Sequence, residues 1–461
     1  MQTLLAADRP PQLSWPLHVR ATLSLGLPLV GAQIAQISIT TTDVVMLGWY
    51  GTSELAASVL ATQVFFFVYI FGAGFTHAVM PLAAQAEGRG DAQQVRRSVR
   101  MGFWVVMLYA LLVMPVLWRI EPLLVALGQE PALAVKARHY MEIAQWGLFP
   151  ALAVLVLRAF FSALSRAQVV LWSALAGTLA NGVLNYAFIF GRFGAPEMGI
   201  RGAALASVAS SFLMLAILVV WALVRPEFRA YQLFVRFWRA EWHAFREIVR
   251  LGLPIGFTII AEVGLFAAAS LMMGWLGTLP LAAHGIALQL GSIAFMVPLG
   301  LASAATVRIG QHSGRGDLPG LARAAHAALL VAGLFALASA LLFWAIPETL
   351  VGLFIDEAKP DAAEILAIAV PLVAIAAAFQ FVDAMQAIGA GLLRGLKDTR
   401  VPMLMAVVSY WGIGLPTAYV FGIVLGFGGP GIWWGLALGL GVAAVLLNWR
   451  FFRRGRRLAA A

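Results

Sequence analysis

The chain has 461 residues, of which 62% are hydrophobic and 11% are charged. Soluble globular proteins are about half apolar and a quarter charged, so this composition excludes an ordinary soluble protein and indicates an integral membrane protein. The net charge of +10 lies in short basic clusters between apolar runs, which is typical of membrane loops rather than of nucleic-acid binding. Because the chain has no cysteine, it has no disulfide, thiol nucleophile or cysteine-based zinc site.

Twelve apolar runs are each long enough to cross a bilayer as an α-helix, which needs about 20 residues. They are continuously apolar and lack the period-two alternation of barrel strands. In chain order the predicted spans lie at about residues 23–47, 53–79, 100–118, 139–160, 168–190, 202–224, 251–275, 281–305, 322–346, 363–389, 402–425 and 431–449.

The basic residues predict the orientation of these spans. If both termini and every second loop lie on one side, that side holds 25 of the 31 Lys and Arg residues. The positive-inside rule then places both termini in the cytoplasm. The longest loop, residues 225–250, divides the chain into an N-terminal bundle (1–224) and a C-terminal bundle (251–461) of six helices each.

An internal repeat at an offset of 226 residues supports this division. "MLGWYGTSELAA" at Met46–Ala57 returns as "MMGWLGTLPLAA" at Met272–Ala283, with eight of twelve positions identical. "LGLP" and "GRGD" recur in the same register. Because the offset covers an even number of spans, the two bundles are parallel repeats with a pseudo-twofold axis along the membrane normal, an arrangement typical of secondary transporters.

Three carboxylates stand inside the apolar runs. Glu262 and Asp383 lie about 16–20 Å from the nearest ends of their helices, near the midplane, and Asp43 lies about 9 Å from Trp49. A charged carboxylate there costs at least a few kcal/mol, and no Lys or Arg is predicted at comparable depth. We expect the acids to exchange a proton or a cation, although a structural hydrogen bond or an internal ion pair is the alternative.

Other polar residues give weaker predictions. Asn181 and Asn185, one helical turn apart, either bond a carboxylate or hold helices together. Gln36 is the repeat equivalent of Glu262 and is a candidate for supporting a coupling site. Asp356 and Glu357 lie on an external loop, where they either attract cationic substrates or are simply solvated.

The chain resembles the MATE (multidrug and toxic compound extrusion) family from about residue 25 to residue 449. The resemblance rests on "TTDVVMLGWYGTSELAA", "MPLAAQAEGRGD", "LANGVLNYAFIFGRFG", "GLPIGFTIIAEVGLF" and "DAMQAIGAGLLRGLKDTRVP". Acids on the seventh and tenth spans are similar to the NorM-type branch. The DinF-type branch tends to carry an aspartate on the fifth span, where this chain has Asn185.

The resemblance implies that Asp43 is the acid of the N-terminal lobe and that Glu262 and Asp383 form a cation site in the C-terminal lobe. It also implies that Asp356 and Glu357 belong to an acidic loop that binds cationic drugs. Phe379 departs from the family pattern, because an aromatic hydroxyl often lies there. Without that hydroxyl a Na⁺ site at Glu262 and Asp383 has one ligand fewer, so Na⁺ and H⁺ both remain open as the coupling ion.

We therefore expect a monomeric, multi-pass antiporter of the bacterial inner membrane. It exchanges amphipathic organic cations for Na⁺ or H⁺ by alternating access and has no cofactor and no nucleic-acid partner. The main alternative is a flippase for a lipid-linked saccharide or peptidoglycan precursor, which predicts a basic cavity for diphosphate. An intramembrane enzyme would need a metal cluster or a nucleophile–base set, and the sequence offers neither. Midplane acids and parallel repeats also argue against a receptor that does not transport.

Overall fold

The computed structural model describes residues 14–356 and 360–460, apart from the side chains of residues 458–460. Within these residues the chain contains helices and no strand. The first nine helices are α1 (Trp15–Tyr50), α2 (Thr52–Gly88), α3 (Ala92–Trp118), α4 (Ile120–Ala126), α5 (Pro131–Ala144), α6 (Leu148–Ala163), α7 (Ala167–Phe190), α8 (Ile200–Val224) and α9 (Pro226–Arg229). The others are α10 (Trp242–Leu276), α11 (Thr278–Arg315), α12 (Leu318–Ala345), α13 (Pro347–Gly352), α14 (Ala362–Gly395), α15 (Arg400–Val407), α16 (Leu415–Tyr419) and α17 (Gly428–Ala460).

In the described part of the chain, twelve helical stretches are long and apolar enough to span a membrane, which confirms the predicted all-α class and span count. The fourth joins α5 to α6 through a 3₁₀ turn at Gln145–Gly147, and the eleventh runs over Arg400–Val424. Most helices extend beyond the predicted apolar runs. The reason is that the helical backbone hydrogen bonds continue through the polar residues on either side of an apolar run, up to a glycine or a capping residue.

The chain forms two compact units, which differ at their edges from the sequence halves. One unit holds residues 28–260, and the other holds residues 1–27 together with 261–461. Helices α1 and α10 therefore each contribute to both units. Each unit contains one of the candidate sites described below.

The shared helices are anchored by equivalent glycines. A Cβ at Gly26 would lie 2.7 Å from Leu301 Cδ2, and a Cβ at Gly252 would lie 2.7 Å from Phe75 Cα. Gly26 and Gly252 are 226 residues apart, as are Phe75 and Leu301. Each contact lies within one compact unit, so the repeat places the same pair of helices together in both. At Gly252 the near atom is backbone, so a side chain larger than hydrogen would push the helices apart there.

The repeated "GRGD" motif is a turn between two helices. Gly90 and Gly316 have φ values of +71° and +70°, a left-handed conformation that favours glycine. The aspartates that follow, Asp91 and Asp317, cap α3 and α12 by accepting a backbone N–H at 2.9 Å. The motif thus recurs because both halves need the same helix stop and helix start.

The eleventh span has π-helical segments at Val408–Gly414 and Val420–Val424. It packs on α17 through Gly435 and Gly439. A Cβ at Gly435 would lie 2.2 Å from the nitrogen of Ala418, and one at Gly439 would lie 2.6 Å from Gly414 Cα. These small residues serve helix packing, as their spacing predicts. Isolated π segments occur frequently at functional sites, and the first one contains Tyr410, a residue of the second candidate site.

Candidate functional site

The first candidate site surrounds Asp43 on α1, in the unit of residues 28–260. One oxygen of its carboxyl group accepts hydrogen bonds from the amides of Asn181 at 3.1 Å and Asn185 at 2.5 Å. The other oxygen accepts from the Ser207 hydroxyl at 2.6 Å. Asn185 also donates to the Asn181 side chain at 3.1 Å, so the four residues form one network. Three neutral donors stabilise a carboxylate without cancelling its charge, which leaves a group that can take up a proton or a cation.

The asparagines reach this network because they lie one turn apart on α7, on the face towards Asp43. Both are fully buried, and the Asn185 side-chain oxygen has no hydrogen-bond partner among the described residues. Gln36 does not join them, since it is exposed on α1 and makes none of the hydrogen bonds to Asp43. Sequence reasoning missed Ser207, because one serine among the small residues of α8 carries no distinguishing signal.

The second candidate site lies in the other unit and contains Glu262 on α10 and Asp383 on α14. Glu262 is half-buried, whereas the Asp383 side chain is only 4% exposed. The two carboxyl groups are close enough to interact electrostatically. One oxygen of Asp383 is buried without a hydrogen-bond partner in the described part of the chain. A buried acceptor of this kind is costly unless a proton, a cation or a water satisfies it.

Tyr410 and Gln386 complete this site, and the sequence did not reveal either. Gln386 lies three residues after Asp383, on the same face of α14. Its amide donates to the Tyr410 hydroxyl at 2.5 Å, and Tyr410 interacts electrostatically with both acids. Trp411 donates to the Ala261 carbonyl at 3.0 Å, which holds the eleventh span against α10 next to Glu262. The packing thus places the Tyr410 hydroxyl near the acids and bonds the Gln386 amide to it.

One basic residue, Arg394, lies close enough to Glu262 to interact with it electrostatically. Arg394, near the end of α14, donates from its Nε to the Ala390 carbonyl at 3.3 Å, one turn back along the helix. From there the guanidinium acts electrostatically on Glu262 and Tyr410. No ion pair joins Arg394 to either acid among the described residues. The arginine therefore changes the electrostatic potential at the site without forming an ion pair with either carboxylate.

Phe379 is buried one turn before Asp383 and supplies only packing. Its ring lies edge-on to Trp433 with centroids 5.4 Å apart and to Phe266 with centroids 5.9 Å apart. The missing hydroxyl at this position is thus replaced by an aromatic cluster. Tyr410 brings a hydroxyl to the same acids from another span.

The acidic loop lies apart from both sites in the chain. Asp356 is exposed just after α13, and Glu357 lies outside the described residues. In the parts of the chain that the structure describes, no group of three or more His, Cys, Asp or Glu residues is placed to hold a metal ion. A cation at Glu262 and Asp383 would therefore depend on these two acids together with neutral oxygen ligands.

Comparisons with known proteins agree with these features. The family model described as MatE matches residues 28–187 and 254–420, which is most of both halves. The chain belongs to the MATE family. It is 56% identical to the "Probable multidrug resistance protein NorM" of Rhizobium meliloti (strain 1021), over 97% of this chain and 96% of the relative. The protein of the same name from Agrobacterium fabrum is 52% identical, over 95% and 94%. These relatives place the chain in the NorM-type branch.

Solved structures show the same fold at low sequence identity. The crystal structure of the eukaryotic MATE transporter AtDTX14 has a TM-score of 0.84 and 20% identity, and the match covers 96% of this chain and 98% of that one. A crystal structure of MATE in the straight conformation has a TM-score of 0.87 and 18% identity, and the match covers 96% and 97%. This MATE-family transporter therefore has the two-lobe fold predicted from its repeat.

Proposed function

We propose that this MATE-family chain is a multidrug efflux antiporter that exports amphipathic organic cations in exchange for Na⁺ or H⁺. It lies in the bacterial inner membrane with both termini in the cytoplasm and works as a monomer. The names of its NorM-type relatives support multidrug export. The observation that carries the exchange mechanism is the pair of the half-buried Glu262 and the buried Asp383. The two acids, on the seventh and tenth spans, interact electrostatically and have no ion-pair partner among the described residues.

Exchange follows from the chemistry of that pair. Two carboxyl groups in a low-dielectric interior cannot both stay ionised cheaply, so they bind a proton or a cation. Carboxylate, amide and hydroxyl oxygens are hard ligands that suit Na⁺ as well as H⁺, and here Gln386 and Tyr410 provide the neutral ones. If occupancy by the coupling ion excludes occupancy by the drug cation, then linkage makes each ion weaken the binding of the other.

Asp43 offers a second acidic site in the other unit. Its hydrogen bonds come from neutral amides and a hydroxyl, so its charge remains available to a proton or to a cationic substrate. The flippase alternative is not favoured, because the interior acids would repel a diphosphate and the relatives carry multidrug resistance names.

The deciding experiment is transport by the purified protein in liposomes. A fluorescent organic cation is loaded inside, and an inward Na⁺ gradient or an inward H⁺ gradient is imposed separately. We expect one of the gradients, or each of them, to drive efflux of the cation, and an outward drug gradient to drive uptake of the coupling ion. Efflux that is equally fast with no ion gradient, and with no counter-movement of Na⁺ or H⁺, would refute antiport.

A further inference from the structure

A basic groove lies at the C-terminal end of α17. It is a cavity of about 780 Å³ lined by His326 of α12 and by Trp449, Phe452, Arg453, Arg456 and Arg457 of α17. We call these six residues the basic groove. All of them belong to the unit that contains residues 261–461. The groove is far along the chain from both acidic sites, and the transport mechanism makes no use of it.

The arginines of α17 divide into two sets by their partners. Arg450 and Arg454 both bond the Asp398 carboxylate, at 2.8 and 2.6 Å. The three arginines of the groove, at positions 453, 456 and 457, pair with no carboxylate in the described part of the chain. The spacings of three and four residues put these three on one face of the helix, where they line the groove. One set therefore holds the fold together, and the other leaves its positive charge in the groove.

Aromatic rings form the other part of the groove. The Arg453 guanidinium lies 5.0 Å from the centroid of the Trp449 ring. The His326 ring packs on Phe452 with centroids 5.1 Å apart, and its Nδ1 bonds the Ala322 carbonyl at 2.8 Å. Tryptophan beside arginine at the end of a spanning helix is the composition of a membrane–water interface, where the ring lies among lipid headgroups.

In the first half of the chain, the position equivalent to His326 is a basic residue that has an acidic partner within the protein. Arg100 is the repeat equivalent of His326, and it donates to the Arg236 carbonyl at 3.0 Å and to the Glu241 carboxylate at 3.3 Å. The linker between α9 and α10 thus supplies an acidic partner to the basic start of α3. Among the described residues of the second half, no carboxylate takes that place at the groove.

We propose that the basic groove binds the phosphodiester headgroup of an anionic phospholipid of the cytoplasmic leaflet. Planar guanidinium groups match phosphate oxygens in charge and in bidentate geometry. Basic pockets between spanning helices on the cytoplasmic side suit such headgroups, and the count of basic residues puts this end of α17 in the cytoplasm. Each arginine near an anionic surface adds roughly five-fold to the affinity, so the three together add on the order of a hundred-fold.

The test measures which lipid the full-length transporter retains. Wild-type protein is equilibrated with mixed micelles that contain equal amounts of phosphatidylglycerol and phosphatidylcholine, and the bound lipid is counted by native mass spectrometry. We expect one retained phosphatidylglycerol in the wild type. The triple variant Arg453→Gln, Arg456→Gln and Arg457→Gln should lose about a hundred-fold in apparent affinity. If that variant inserts poorly, the double variant at positions 456 and 457 should lose roughly 25-fold.

The matched control removes three exposed arginines from the linker region, Arg229, Arg239 and Arg246, also by change to Gln. Its net charge equals that of the groove variant, so it should keep the bound lipid if the groove is specific. An equal loss in both variants would show diffuse attraction to charge and would overturn the proposal. Equal retention of the two lipids by the wild type would overturn it as well. Displacement of the lipid by millimolar inorganic phosphate alone would assign the groove to free phosphate instead.

Discussion

Neutralising Glu262 and Asp383, singly and together, tests whether the two acids act as one site. Linkage between two ligands of one protein is typically worth about 1–3 kcal/mol, which corresponds to roughly 5–150-fold. We therefore expect Glu262→Gln and Asp383→Asn each to reduce ion-driven drug accumulation by a factor in that range. If the acids share one ion, the double variant should be little worse than either single variant, since the first change already disrupts the shared site.

Independent sites would behave differently, because their losses would multiply to about 25-fold at the least. The assay is efflux from liposomes that contain equal amounts of each variant, together with a pH series of Na⁺ binding. Na⁺ binding, if present, should weaken as the pH falls, since protons compete for the same oxygens. Wild-type activity in both single variants would refute the site. An absence of Na⁺ binding at every pH would leave the acids as a proton site.

Three further predictions concern other parts of the chain. Asp43→Asn should abolish drug export while insertion stays normal, because three neutral donors surround this acid and no buried cation is left behind; full activity would remove Asp43 from the mechanism. A reporter that is active only in the periplasm should give no signal when fused after Arg457, and a strong signal would overturn the topology. Burial opposes ionisation of Asp317, but the bonds from the Gly320 N–H and His312 outweigh it and hold its pKa below the ordinary value. The cap should therefore add about 1 kcal/mol to the free energy of unfolding above pH ~4, and this contribution should be lost as the pH falls through the lowered pKa. Asp317→Ala should accordingly leave the stability unchanged in strong acid. A loss of thermal stability that is the same at every pH would contradict this.

The repeat also provides a matched control for the cap. Asp91 occupies the position equivalent to Asp317 and accepts a backbone N–H at the same distance, 2.9 Å. Asp317 has an additional bond to the His312 ring at 2.8 Å. Asp91→Ala should therefore show the loss of a helix cap alone, and the difference between the two variants reports the imidazole contact.

Much of the fold follows from the sequence, because a bilayer imposes a simple rule on it. Long apolar runs must be helices there, and the charge count and the 226-residue repeat then specify their number and their pairing into halves. Asp43, Glu262 and Asp383 are site candidates for the same reason, since an acid inside such a run is rare and costly. The spacing of Asn181 and Asn185 also placed them correctly on one face of their helix.

The partners of these acids could not be found in the same way. Ser207 and Tyr410 are ordinary residues of other spans, and only tertiary packing brings them to the carboxyl groups. Gln386 shares a helix with Asp383, but only its bond to Tyr410 distinguishes it from other polar residues of the span. The hydrophobic period of a span shows that it is helical but not which helix lies beside it. Arg394 was counted with the loop charges, because the sequence does not show that its side chain turns back along α14 towards Glu262.

The sharing of α1 and α10 between the two compact units has a consequence for biosynthesis. The unit of residues 28–260 needs the start of α10 to pack against Phe75, so it cannot be completed when its sixth span leaves the ribosome. In the same way, residues 15–27 cannot pack in their final place until Leu301 and Arg308 have been synthesised. Arg308 then donates to the His18 carbonyl and to the Thr22 hydroxyl. Two fragments separated in the linker would each carry a helical segment that belongs to the other, so they should mature only when they are made together.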